Sequence, residues 1–190
     1  MKLSFTNSLA VLSMFFAGFH FFIAEEVENP AYTNWVKFPV NTSIVMKSVA
    51  TTRDGMIENQ IIKTLIKKDE NQLVISSVTT FDIHGNKQKN DPVETVVRRG
   101  FPLLPGVDKT QIGRPQGIKE RGNEIVELLG KKYKAEWYVT QSNTDEGLLT
   151  SRVWVSMDVP GQVIKSSSEV KKTGKKQEES IIEIKIGSGN

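Results

Sequence analysis

From residue 35 to residue 186 the chain reads as short runs rich in β-branched and aromatic residues, each closed by a break containing glycine, proline, asparagine or aspartate. That rhythm leaves room for little but hairpins, because β-branched side chains suit a pleated surface and the breaks supply tight-turn conformations. Residues 35–52 (WVKFPVNTSIVMKSVATT) run into Arg53-Asp54-Gly55, where Asp-Gly tolerates the positive φ values of a hairpin turn. Residues 56–68 and 73–83 follow, divided by the polar break at 69–72, and His84-Gly85-Asn86 returns the chain into Val93–Arg99. Pro92 makes this last strand a late starter or an edge. Residues 56–68 read as strand because four isoleucines there are β-branched, although Ile57, Ile61, Ile62, Leu65 and Ile66 also fit a helical stripe.

The pattern stops between Gly100 and Gly122. That segment carries three prolines together with Phe101, Leu103, Leu104, Val107 and Ile112, and connections of this length are usually functional or mobile. It is either a crossover that seals one end of the core or an apolar cover over a cavity. Strands then resume at 124–129 and 132–141, around a Gly130-Lys131 pair suited to a type II′ turn, and continue at 148–159, 162–172 and 175–186. The tail 187–190 (GSGN) is expected to be disordered. Nine or ten hairpin-linked strands predict an all-β domain: a curved antiparallel sheet, half-barrel or open barrel, with one or two short helices at most.

Residues 1–24 form a separate unit. Lys2 precedes an uncharged apolar run from Leu9 to Ala24, which ends at Glu25; this is the layout of a secretory signal peptide cleaved after Ala24, with an uncleaved anchor as the alternative, although the run is shorter than the roughly 20 residues of a spanning helix. The expected mature domain spans 25–186, outside the cytoplasm, in the periplasm or the extracellular space. Its contact with a membrane is then transient, through the leader alone. The leader holds one of the 25 basic residues and none of the 22 acidic ones, so the formal charge drops from +3 to +2 on its removal. Such a balance predicts no nucleic-acid partner. With no cysteine, the domain has neither disulfides nor a thiolate metal site.

Catalytic chemistry finds few candidates. Once His20 leaves with the leader, His84 is the one remaining histidine, so zinc sites of the His/Cys kind are excluded and a Ser-His-Asp relay has a single possible base. The carboxylate pairs Glu124/Glu127 and Asp145/Glu146 lie in no distinctive motif. Gly113-Arg114-Pro115-Gln116-Gly117 lacks the lysine and hydroxyl order of a phosphate loop. No catalytic residue, metal or cofactor is assigned.

The aromatics are the better candidates. Trp35, Trp137 and Trp154 fall on predicted strands, and on a curved sheet such side chains either fill the concavity or line it as a groove. Together with Phe101, Leu103 and Leu104 from the Pro-rich segment they make up the expected ligand-binding set.

At residues 137–165, Trp154-Val155-Ser156, Pro160-Gly161 and Val163-Ile164-Lys165 form a W-V-S…P-G…V-K hairpin. It resembles that of exported, largely uncharacterised bacterial β proteins, which are similar in turn to periplasmic lipoprotein carriers of the LolA and LppX type. The resemblance implies a half-barrel closed by helices and able to hold acyl chains. The carriers' acyl-pocket residues have no counterpart here, and their closing helices have none unless 56–68 is helical. The reading from sequence is thus an exported, non-enzymatic binding or carrier module for an apolar, lipid-like ligand or a cell-envelope partner. A purely structural envelope domain is the alternative, and a carboxylate-dependent glycan hydrolase a third.

Overall fold

A computed structural model describes residues 25–53, 55–83 and 85–188; the predicted leader, Asp54 of the expected Asp-Gly turn, His84 and the last two residues lie outside the described residues. The elements in order are β1 (Glu26–Glu28), α1 (Pro30–Trp35), β2 (Ser43–Thr52), β3 (Gly55–Lys68), β4 (Gln72–Ile83), β5 (Asn86–Lys89), β6 (Val93–Arg98) and β7 (Gly100–Pro102). After a 3-10 turn at Lys109–Gln111 come β8 (Ile118–Leu128), β9 (Lys131–Thr144), β10 (Gly147–Val155), β11 (Val163–Val170) and β12 (Lys175–Lys185). The fold is all-β, as the hairpin rhythm predicts. Among the described residues there are twelve strands where nine or ten were expected, because β1, β5 and β7 are only three or four residues long and carry no legible alternation.

Two antiparallel meanders make one large sheet. β2–β3–β4 run outward to an edge where β5 and β6 both pair with β4, and β8 to β12 form a five-stranded meander. The halves join where the first long strand meets the last, β2 against β12, with Met46 opposite Ile181 and Lys47 opposite Ser180. The sheet runs β5-β4-β3-β2-β12-β11-β10-β9-β8 and does not close. Register is shifted at Leu65/Lys67, Trp154/Val155 and Ile181/Glu183, and bulges of this kind locally bend and twist a strand.

Residues 56–68 are strand. Ile61 lies opposite Met46 and Thr79, and this two-sided pairing decides what local periodicity left open. The turn after β8 differs from expectation. Leu129 (φ 51°) and Gly130 (φ 75°) form it, with Leu128 opposite Lys131. Positive φ at both positions is the signature of type I′, whose twist matches that of the strands.

Trp35 ends a helix, where a strand was expected. Asn29 accepts the Ala31 N–H at 3.0 Å and Pro30 opens the first turn, a standard start that a six-residue helix cannot support with any periodicity. α1 lays Tyr32 and Trp35 on a core formed by Ile44, Met46, Leu65, Leu73, Ile75, Ile164 and Ile181. Leu65 and Leu73 are fully buried, and fully burying such a side chain stabilises by about 1.5–3 kcal/mol. At the other end of the described chain, Gly187 donates its N–H to Thr42 Oγ1 at 3.0 Å.

One connection is unlike the rest. After β6 and β7, residues 103–117 carry the chain from the β4 edge of the sheet to β8, its opposite edge. The crossing is tethered where it starts: Phe101 pairs with Val27, the Leu103 N–H donates to the Glu25 carbonyl at 2.7 Å, and Lys109 forms an ion pair with Glu25.

Candidate functional site

The site is assembled from one buried asparagine outward. Asn34, fully buried on α1, donates through Nδ2 to the Met157 and Val159 carbonyls at 3.2 and 3.0 Å, and its Oδ1 accepts the Gly161 N–H at 2.7 Å. Those three bonds fold residues 156–162 into a compact turn. Ser156 donates its N–H to the Gln162 carbonyl at 2.8 Å, Val159 and Pro160 are buried, and Gln162 reaches back through Nε2 to the Pro30 carbonyl at 2.6 Å. Gly161 adopts φ 78°, which strains any side chain, and a Cβ there would stand 3.2 Å from Ile44 Cδ1, so that its neighbour would also have to give way slightly. The serine and the Pro-Gly pair of the W-V-S…P-G motif are therefore the parts that dock the β10–β11 connection on the helix.

Beside this turn lies a hollow of about 740 Å³. Its floor is the α1 end of β8, β9 and β10, its near wall is Pro30 with Val155, Met157 and Gln162, and its far wall is Ile112, Gly113 and Arg114 of the crossing segment. Gly113 (φ 76°) brings that wall in: a Cβ on it would stand 2.7 Å from Pro30 Cγ, so the crossing segment can touch the helix only with glycine there.

Tyr138 is the buried polar group of the floor, 3% exposed, and its hydroxyl donates to the Glu136 carboxylate. Burial pushes its phenol above the ordinary tyrosine range, the Glu136 carboxylate adds to the rise, and the Arg114 guanidinium opposes it. Arg114, Asn123, Glu136 and Tyr138 also line an adjoining depression of about 360 Å³, together with Arg121 and Gly122. Ile112, Val155 and Met157 make the main hollow apolar. Arg114, Lys134, Glu136 and Asp158 supply charge around it.

None of the six residues expected to bind ligand lines this hollow. Trp35 is 3% exposed within the core. Trp137 and Trp154 pair across β9 and β10, and because successive side chains of a strand point to opposite faces, they lie on the reverse of the sheet from Tyr138. There the Arg152 guanidinium sits 4.2 Å from the Trp137 ring centre and 4.6 Å from that of Trp154, while Lys165 Nζ lies 4.4 Å from Trp154. Phe101 is in β7, Leu103 follows it, and Leu104 is 68% exposed. The crossing segment does wall the hollow, but through Ile112, Gly113 and Arg114. Asn34 and Gln162, which build the other wall, carry no signal readable from sequence; Val155, Ser156 and Gly161 lie within the motif.

Of the carboxylates considered for hydrolysis, Glu124 lines the hollow, and both it and Glu146 are held by neighbouring side chains. Glu124 accepts from Trp154 Nε1 and pairs with Arg152 at 4.0 Å, and Glu146 pairs with Lys175. Among the described residues, no group of three or more His, Asp or Glu side chains is placed to hold a metal ion.

No family model matches the sequence, and no curated protein matches it. Solved structures similar to this chain include an exported protein with a YmcC-like fold from Bacteroides fragilis, at 13% identity and TM-score 0.45, covering 78% of this chain and 98% of that one. A chain of the Pseudomonas aeruginosa MucA/MucB complex is similar at 11% identity and TM-score 0.41, over 84% of this chain and 55% of that one. The Mycobacterium tuberculosis lipoprotein LppX is similar at 8% identity and TM-score 0.39, over 84% of this chain and 95% of that one. These likenesses assign the chain no family, ligand or activity.

Proposed function

We propose that the protein is an exported, non-enzymatic binding module that holds an apolar, lipid-like ligand between α1, the crossing segment and the floor of β8 to β10. The observation that carries this reading is the hollow of about 740 Å³ itself, which lies within the range of ligand sites and has apolar walls from three separate parts of the chain. Pro30, Ile112, Val155 and Met157 offer dry contact, and Tyr138 and Arg114 offer a few polar anchors, which is the usual composition of a small-molecule pocket.

Binding of a dansyl-labelled undecanoic acid tests the reading. Saturable binding is expected, with Ile112→Asp and Met157→Asp each weakening it about tenfold or more, because a carboxylate is placed against an apolar ligand. Leu104→Asp, outside the hollow, is expected to leave it unchanged. Absence of binding, or equal sensitivity at Leu104, contradicts the site. Export is tested separately by N-terminal sequencing of protein from outside the cytoplasm, which is expected to begin near Glu25; an intact Met1 on a cytoplasmic protein contradicts it.

A further inference from the structure

We propose that the depression beside the hollow receives the anionic head group, carboxylate or phosphate, of an amphiphile whose tail lies in the hollow; this rests on reading the hollow as a ligand site. The two spaces share Arg114, Asn123, Glu136 and Tyr138, and so form one continuous surface of changing character. On the hollow side that surface is Ile112, Val155 and Met157. On the other side it presents two guanidinium groups, an amide, a phenol and one carboxylate.

The charges do not cancel. Among the described residues neither Arg114 nor Arg121 takes part in an ion pair within 4.0 Å, although the Asp108 carboxylate lies within electrostatic reach of Arg114 from outside the depression. The one carboxylate in the lining, Glu136, already accepts from the Tyr138 hydroxyl. The depression therefore holds a surplus of one positive charge and guanidinium N–H groups with no carboxylate of their own. Arg114 comes from the crossing segment and Arg121 from β8, so two separate parts of the chain bring their guanidinium groups to the depression. Planar forks of this kind match the paired oxygens of a carboxylate or phosphate. A neutral ligand would fill the hollow and leave this pair unanswered, whereas an anionic amphiphile satisfies both.

The test is calorimetric titration of protein from cells expressing the full chain with dodecanoate, dodecyl phosphate, dodecanol, acetate and inorganic phosphate. Dodecanoate and dodecyl phosphate are expected to bind at least about tenfold more tightly than dodecanol, and the tighter of the two identifies the preferred head group. Arg114→Gln and Arg121→Gln should each shrink that acid-over-alcohol ratio to about threefold or less. Should either variant fail to fold, the wild-type protein still decides. Raising salt from about 50 to about 500 mM should weaken dodecanoate binding and spare dodecanol, because only the former relies on screened charge. Equal affinity for dodecanoate and dodecanol overturns the head-group assignment and leaves the hollow intact as a lipid site. Inorganic phosphate binding as tightly as dodecyl phosphate overturns it in favour of a free-anion site. If no dodecyl ligand binds at all, the reading of the hollow fails and this assignment falls with it.

Discussion

Asn34 Oδ1 accepts the Gly161 N–H at 2.7 Å, a bond between residues 127 positions apart that joins the short helix to the β10–β11 connection. With the two bonds from Nδ2 it is the joint on which the near wall of the hollow hangs. Asn34→Ala removes three hydrogen bonds, a buried one to the Val159 carbonyl and part-buried ones to the Met157 carbonyl and the Gly161 N–H, each contributing about 0.5–1.5 kcal/mol. Urea denaturation is expected to show a loss of about 3 kcal/mol, accompanied by weaker ligand binding. A loss below about 1 kcal/mol would mean that the turn holds its shape without the asparagine.

On the reverse face, the Trp137 ring lies over Gly122 on the neighbouring strand. A Cβ on Gly122 would stand 2.7 Å from Trp137 Cζ2, so Gly122→Ala must displace the ring and with it the Arg152 guanidinium stacked 4.2 Å from its centre. Overpacking of this kind typically costs about 1–3 kcal/mol. In the presence of Trp137→Ala the same substitution should cost much less, and a double-mutant cycle measures the difference. Additive losses would show that the ring and the glycine are independent.

Alkaline titration reports on the floor of the hollow. Because burial and the Glu136 carboxylate raise the Tyr138 pKa above 10.0, the tyrosinate absorbance lost in Tyr138→Phe should have its midpoint above that value. A folded pKa that is raised means that the contribution to stability is complete below the unfolded value and disappears as pH climbs through the folded one. Stability should accordingly fall on the alkaline side of pH 10.0 in the wild type, and less so in Tyr138→Phe. A missing component with its midpoint at or below 10.0 would contradict the buried, hydrogen-bonded phenol.

The β3–β4 turn has the opposite dependence. Asp69 accepts the Asn71 and Gln72 N–H groups at 2.9 Å each, and these bonds hold its carboxyl below its ordinary 3.8. A lowered folded pKa contributes above the unfolded value and is lost as pH falls through the folded one, so the turn should loosen only below pH 3.8. Amide exchange at Asn71 and Gln72 is expected to quicken in that window, and Asp69→Ala should show the quickened rate at every pH. Unchanged exchange in the variant would remove Asp69 from the turn.

Much of the fold was legible because its rules are local. The β-branched isoleucines of 56–68 and the Asp-Gly pair before them point to strand through neighbours a few residues away. Trp35 defeated the same logic: the Asn29-Pro30 start is a helix signal, yet six residues are too few to outweigh the strand-like run that follows. The site lay further out of reach. It depends on β2 meeting β12, on a segment that crosses from one sheet edge to the other, and on a buried Asn34 whose partners sit more than 120 positions away. Trp137 and Trp154 drew attention by size, and alternation alone places them on the face opposite Tyr138 once β9 is known to run from Lys131 to Thr144.

The central claim, that the hollow is a site for an apolar chain, is tested most directly by the dependence of affinity on chain length. Titrating octanoate, decanoate, dodecanoate and tetradecanoate keeps the head group fixed and varies only the buried methylenes. Each methylene taken from water contributes about 0.8 kcal/mol, so the dissociation constant should fall about fourfold per added methylene until the hollow is full. The account predicts that slope, and its loss in Ile112→Asp. An affinity that is the same at every length would contradict it.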